Sequence, residues 1–418
     1  MNVDCLKAIA APSVHWLPQV KSDALVQTPP RPQCEVCVVV PVRNESEILQ
    51  NTLIALNQQI DLEDRPLEPE RYEIILLANN CDDDSAAIAD RFAKQHPDLI
   101  LHVVEKHLPT VDAHIGWVRK RLMDEAYNRL ISIGCSQGVI ASTDGDTRVA
   151  PNWIAATLHS VDCGADAVGG RIVTDRRDRA ALTPYTRACH LREVGYRFLV
   201  AELEAHLDPN SFDVLPRHFQ HYGASLAVTA EMYGRAGGIP LVRTSEDVAL
   251  YQALMRIDAN VRHSPLVRVT TSARQVGRAQ HGLADQLSQW TAMEPEKQPF
   301  WVESAAAIAT RLHARRELRS LWQQALDGDE LTLEDVALPA NRLGIFTNWL
   351  LNQLMQAQFF GALLEKIEHQ QALENIWQQR WASTTIEQAI DDLRLLLEPM
   401  RRQQRKSIHK QATQTANY

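Results

Sequence analysis

The sequence predicts an α/β protein: a mostly parallel, Rossmann-like sheet with helices on both faces, followed by a C-terminal helical region. Three observations carry that reading. Short β-rich apolar runs alternate with helical patterns, and polar turns close the strand ends. The run Val139-Ile140-Ala141-Ser142-Thr143 also stops abruptly at Asp144-Gly145-Asp146, before a helix start at Pro151-Asn152-Trp153-Ile154.

The elements follow in order. Cys34 to Val40 is an apolar strand that ends at Pro41-Val42-Arg43-Asn44-Glu45-Ser46-Glu47, after which Ile48, Leu49, Leu53 and Leu56 recur at helical spacing. Tyr72 to Ala78 is a second strand, closed by Asn79-Asn80-Cys81-Asp82-Asp83-Asp84-Ser85 and a helix to His96. Leu99 to Val104 is a third. A helix carrying Arg119-Lys120-Arg121 leads into the strand that ends at Asp144, and three basic positions near its start suit a diphosphate as well as a solvated face. Ala165 to Ile172 and His221 to Val228 read as strands, and residues 181 to 207 as a helix. Ser245 is placed to cap a helix that opens with Glu246 and Asp247.

Composition narrows the function. With 418 residues, 45% hydrophobic and 23% charged, the chain is an ordinary globular protein of two or three domains. A formal charge of -9 argues against a nucleic-acid partner, whose footprint is a basic face. No apolar run approaches the about 18 to 20 residues needed to span a bilayer, and the first thirty residues lack a signal-peptide core. The expectation is a cytoplasmic protein with a loose N-terminal arm over residues 1–33. Seven cysteines at unrelated spacings form no disulfide framework, and Cys34 and Cys37, inside a strand-like run, read as buried thiols rather than a zinc or redox pair.

Asp144 and Asp146 are the chemical centre of the sequence. In an open α/β sheet the ligand crevice lies beyond the carboxyl ends of the strands, and Gly145 allows a tight turn there. Two aspartates at that spacing suit a hard divalent cation, which in Mg²⁺ sites uses one or two carboxylates plus substrate phosphates. An ordinary Asp-Gly surface turn is the alternative. The dinucleotide fingerprint G-x-G-x-x-G and the phosphate loop G-x-x-x-x-G-K-[ST] are both absent.

Pro41-Val42-Arg43-Asn44-Glu45, Asp144-Gly145-Asp146, Gly223-Ala224-Ser225-Leu226-Ala227, Gly237-Gly238-Ile239-Pro240 and Glu246-Asp247 together resemble the ordered motif series of family 2 glycosyltransferases with the GT-A fold. The resemblance covers roughly residues 34 to 290. It implies transfer of a sugar from a nucleotide-diphosphate donor to an acceptor hydroxyl, with Mg²⁺ or Mn²⁺, inverting and non-processive.

Residue by residue, it implies that Pro41, Arg43, Asn44, Glu45, Asn80 and Asp82 hold base and ribose. Arg119 matches a basic donor-site position. Asp144 and Asp146 would hold the ribose and the metal on the diphosphate, and Asp247, paired with Glu246, would be the general base. Arg274 and Arg278 are candidates for phosphate, and His281 or His263 for a third metal ligand. Two departures stand out: Ala78-Asn79-Asn80 lies where many relatives carry an acid, and the aromatic-basic signature of processive synthases is missing.

The organisation expected is an arm (1–33), a GT-A domain (34–290, with a nucleotide half 34–160 and an acceptor half 161–290) and a helical extension (291–418). In that extension Phe346, Trp349, Leu350, Leu354, Phe359, Leu363, Leu364 and Ile367 are spaced for one apolar face, suited to core packing, a homodimer or a membrane surface. The rival functions are a retaining glycosyltransferase, a nucleotidyltransferase, or a nucleotide-sugar-binding scaffold without turnover.

Overall fold

The computed structural model describes residues 24–275, 277 and 282–415. The described residues divide into two compact units: a sheet unit made of those up to Asp175 and those within Gln220–Leu254 and Ala259–Leu283, and a helical unit made of Arg176–Phe219, Met255–Asp258 and those from Ala284 onward.

In the sheet unit, β1 (Val36–Val42), β2 (Tyr72–Asn79), β3 (Leu101–Lys106) and β4 (Val139–Ser142) are parallel and lie in the order β3-β2-β1-β4. The sheet continues through β7 (Leu226–Thr229), β6 (Ala167–Thr174), β8 (Val261–Thr271) and β5 (Thr147–Val149). β7 is antiparallel to both its neighbours, β6 and β8 run parallel, and β5 ends the sheet antiparallel to β8.

Every residue of β1, β2, β4 and β7 is buried, as expected of strands covered on both faces. Val36, Val38, Val40, Ile74 and Leu76 share one core with residues of α1 (Leu49–Asn57), α2 (Ser85–Gln95) and α4 (Trp153–Asp162). The alternate residues, Cys37, Val39, Ile75 and Leu77, are equally buried on the other face, where α3 (Ile115–Ser132) packs against β1 and β2. The short α7 (Ala230–Arg235) follows β7, and α8 (Glu246–Arg256) precedes β8.

Three local expectations change. Residues 24–33 are not a loose arm throughout: Leu25 and Val26 are buried, and their backbone N–H groups donate to the Glu125 carboxylate at 3.0 and 3.4 Å. Gly223–Ser225 is a tight 3-10 turn rather than the start of a strand, because the Ser225 N–H folds back onto the Tyr222 carbonyl and the Trp153 indole donates to Ser225 Oγ. β5 and the eleven-residue β8 are additional strands that local pattern did not announce.

The helical unit contains α5 (Arg176–Ala181), α6 (Pro184–Leu207), most of α9 (Leu283–Met293), α10 (Ala305–Asp327), α11 (Leu333–Leu343), α12 (Thr347–Gln356), α13 (Phe360–Leu373), α14 (Ile376–Arg380) and α15 (Ile386–Thr415). Leu350, Leu354, Leu363 and Ile367 join one core with Ala314, Leu318 and Val336. Phe346 lies outside that core, 77% exposed ahead of α12, and Phe360 enters it. Among the described residues no helix is long and apolar enough to cross a membrane.

Candidate active site

The carboxyl ends of β1, β2 and β4 place three loops side by side, as parallel order requires. The first two are laced together by short side chains. Asn44, held at φ 55°, accepts the Asp82 N–H at 2.8 Å on its side-chain oxygen. The Glu45 N–H donates to Ser85 Oγ at 2.8 Å, and the Ser46 N–H to Asp83 at 3.0 Å. Asn80, at φ 48°, exchanges side-chain hydrogen bonds with the backbone of Leu108. Arg43 donates to the Ala113 carbonyl at 3.2 Å, while the Asp82 side chain is exposed.

Gly145 packs the third loop against the first. A methyl group on it would meet Val42, the Pro41 carbonyl and Glu45 at 3.1 to 3.4 Å, and its own carbonyl accepts from Thr52 Oγ1 at 2.9 Å. That contact fixes the Asp144 and Asp146 turn against β1 and α1.

Two arginines organise the acids. Arg119 is nearly buried; its Nε donates to Glu246 and one Nη to Asp144, both at 2.8 Å, and the other Nη to Ser142 and the Gly223 carbonyl. Burial opposes the charge on this guanidinium, but Asp144 and Glu246 more than compensate and hold its pKa above the ordinary arginine value. Lys120 and Arg121 do not join it. Successive helix positions point about 100° apart, so Lys120 pairs with Asp124 at 3.1 Å and Arg121 lies over the Trp117 ring.

Arg274, just past β8, grips both oxygens of Glu45 at 2.6 and 2.5 Å and reaches Asp146 Oδ2 at 3.2 Å. The Thr147 and Thr271 hydroxyls lie 3.3 and 3.4 Å from Asp146 Oδ1. Sequence reasoning missed both threonines; a β-branched pair facing across two strands that local pattern did not reveal left no signal. Burial, with Asp144 and Glu45 close by, pushes the Asp146 carboxyl up from 3.8 to about 6 against the pull of Arg274.

The last pair divides by burial. Glu246 is buried on Arg119, whereas Asp247 is half-buried. Asp247 Oδ2 accepts the Gly223 N–H at 2.7 Å and Oδ1 the Val248 N–H at 2.8 Å.

The donor set suits a hard cation: carboxylate oxygens outnumber the positive charges, and one carboxyl is raised by burial and by its acidic neighbours. Among the described residues no third His, Cys, Asp or Glu completes a cluster with Asp144 and Asp146. His263 is buried in β8 opposite Gly169, about 25 Å up the strand from Thr271 at β-strand rise. His281 and Arg278 lie outside the described residues. The one triad of metal-capable side chains among the described residues is Cys34, Cys37 and Glu73. There Cys37 donates to Glu73 at 2.9 Å and Arg129 covers both carboxylate oxygens, while burial pushes the Cys37 thiol well up.

An α/β sheet of this strand order, with acids gathered at the strand tips, defines the class: a glycosyltransferase of GT-A type. Residues 37–216 match the sequence profile described as glycosyl transferase family 2. No curated protein sequence matches the chain.

Similar solved structures include the mannosyltransferase PcManGT from Pyrobaculum calidifontis in complex with GDP-Man and Mn²⁺ (16% identity, 90% of this chain and 90% of that chain covered, TM-score 0.40). Another is S. aureus TarS 1-349 in complex with UDP-GlcNAc (12%, 81% and 92%, 0.42). A third is glucosyl-3-phosphoglycerate synthase from Mycobacterium tuberculosis in complex with Mn²⁺, UDP and phosphoglyceric acid (15%, 63% and 78%, 0.36).

Proposed function

We propose that the site transfers a sugar from a nucleotide-diphosphate donor to an acceptor hydroxyl in one inverting, non-processive displacement that depends on Mg²⁺ or Mn²⁺. The observation that carries this reading is the charge surplus at the strand tips. Glu45, Asp144, Asp146, Glu246 and Asp247 face Arg119 and Arg274, so an anionic diphosphate is repelled unless a cation comes with it.

Asp144 and Asp146 would hold the cation, which supplies Lewis-acid stabilisation of the departing nucleoside diphosphate. Pro41, Arg43, Asn44 and the loop braced by Asn80 and Asp82 form the wall for base and ribose. Arg119 acts as a positioning residue: it fixes Asp144 and Glu246 and touches the Gly223 carbonyl. Glu246 is the counter-charge of Arg119. Asp247 is the general base, because both its oxygens are oriented by backbone N–H groups and each keeps a lone pair for the acceptor proton.

Thermal melts against nucleoside diphosphates and nucleotide sugars, with and without Mn²⁺, test the reading. One nucleotide at about 100 times its dissociation constant should stabilise the wild type by about 2.7 kcal/mol, only with metal, and Asp146→Ala should abolish the effect. Donor stabilisation with no hydrolysis or transfer for any acceptor favours the scaffold reading, and no stabilisation by any nucleotide overturns the donor-site assignment. Retained anomeric configuration in the product, or pyrophosphate release, selects one of the other two rivals.

A further inference from the structure

Arg274 has an unusual position for a cation in a metal-dependent site. Its guanidinium already touches Asp146 Oδ2 at 3.2 Å, while the neighbouring threonine hydroxyls lie on the Oδ1 side. The Asp146 oxygen that faces away from the threonines is the one Arg274 touches, so a cation reaching for that oxygen meets the guanidinium first. Glu45, buried and 229 residues away in sequence, holds the same guanidinium through two short hydrogen bonds. The fold therefore supplies one arginine with two carboxylates, one from the loop after β1 and one from the Gly145 turn.

We infer that Arg274 is the built-in counter-ion of the cation site, competing with the divalent metal for Asp146 and retained by Glu45 when the metal takes that carboxylate. This rests on the assignment of Asp146 to the metal. Without metal, the guanidinium neutralises two close carboxylates that would otherwise repel each other. A divalent cation on Asp146 meets a like charge, so metal alone binds weakly. A diphosphate arriving with the metal changes the balance, since its oxygens are the acceptors a planar guanidinium pairs with best, and it gives Arg274 a new partner beside Glu45. Metal and nucleotide thus reinforce each other, and by linkage each raises the affinity of the other equally.

The test is Mn²⁺ binding followed by the electron paramagnetic resonance signal of free Mn²⁺, with metal alone and with UDP or GDP, in wild type, Arg274→Met and Arg148→Met. Arg148 sits two residues from Asp146 but pairs with Asp175 at 2.5 Å, so its removal deletes the same charge without freeing Asp146. Arg274→Met should bind Mn²⁺ alone about tenfold more tightly than wild type, equivalent to about 1.4 kcal/mol, and the gain from nucleotide should shrink by the same factor. Arg148→Met should change Mn²⁺ affinity less than twofold. If the methionine variant fails to fold, Arg274→Lys replaces it, with affinity between the two. Equal tightening in Arg274→Met and Arg148→Met, or none in Arg274→Met while wild type binds, overturns the competition alone. Failure of the wild type to bind Mn²⁺ with any nucleotide overturns the metal assignment and this inference with it.

Discussion

A methyl group at Gly223 would sit 2.6 Å from the guanidinium carbon of Arg119, too close for any real contact. The same glycine accepts from Arg119 through its carbonyl and donates to Asp247 through its N–H, so one backbone unit separates the arginine that fixes Asp144 from the proposed base. Gly223→Ala must push Arg119 or the turn aside. The expected outcome is a loss of about 1 to 3 kcal/mol of stability from overpacking, and a fall of about a hundredfold in kcat/KM as Asp144 and Asp247 move apart. Melts and steady-state kinetics on the same preparation check both.

Asp247→Asn should behave differently. The amide oxygen can still accept the Gly223 N–H while only the local Val248 bond is lost, so the fold and the Arg119 network survive, but the proton acceptor is gone. We expect kcat to fall by about 10² to 10⁴ with donor-dependent thermal stabilisation unchanged. A parallel loss of donor stabilisation would place Asp247 in the donor site instead.

The sheet was legible because its signals are local. β1, β2 and β4 are apolar runs closed by polar turns, and the family motifs fall at their tips. Individual side-chain duties were less so. Arg119, Lys120 and Arg121 look alike in sequence, and only helix phase decides that Arg119 alone turns to the acids. Asp82 and Asp83 are adjacent, yet Asp83 binds the Ser46 and Ser85 N–H groups while the Asp82 side chain is left to solvent. Glu45 and Arg274 meet across 229 residues through strands that no local pattern marked, and no single-sequence argument pairs them.

A last prediction concerns pH and leaves the chemistry aside. Glu73 and Arg129 form a buried bidentate pair, with His102 Nε2 3.1 Å from the same carboxylate. Burial pushes the Glu73 carboxyl up, but hydrogen bonds from Arg129, His102 and Cys37 outweigh it and hold it down at about 2 against an ordinary 4.5. A depressed carboxyl binds fewer protons folded than unfolded, so its contribution is complete above about pH 4.5 and is lost as pH falls toward 2. The shift corresponds to about 3 kcal/mol. Urea denaturation between pH 7 and 3 should therefore show a stability decline that Glu73→Gln lacks. The variant itself should be about 3 to 5 kcal/mol less stable at pH 7, because it leaves the Arg129 charge buried without its partner. A decline of equal steepness in both proteins would assign the acid sensitivity to other carboxylates.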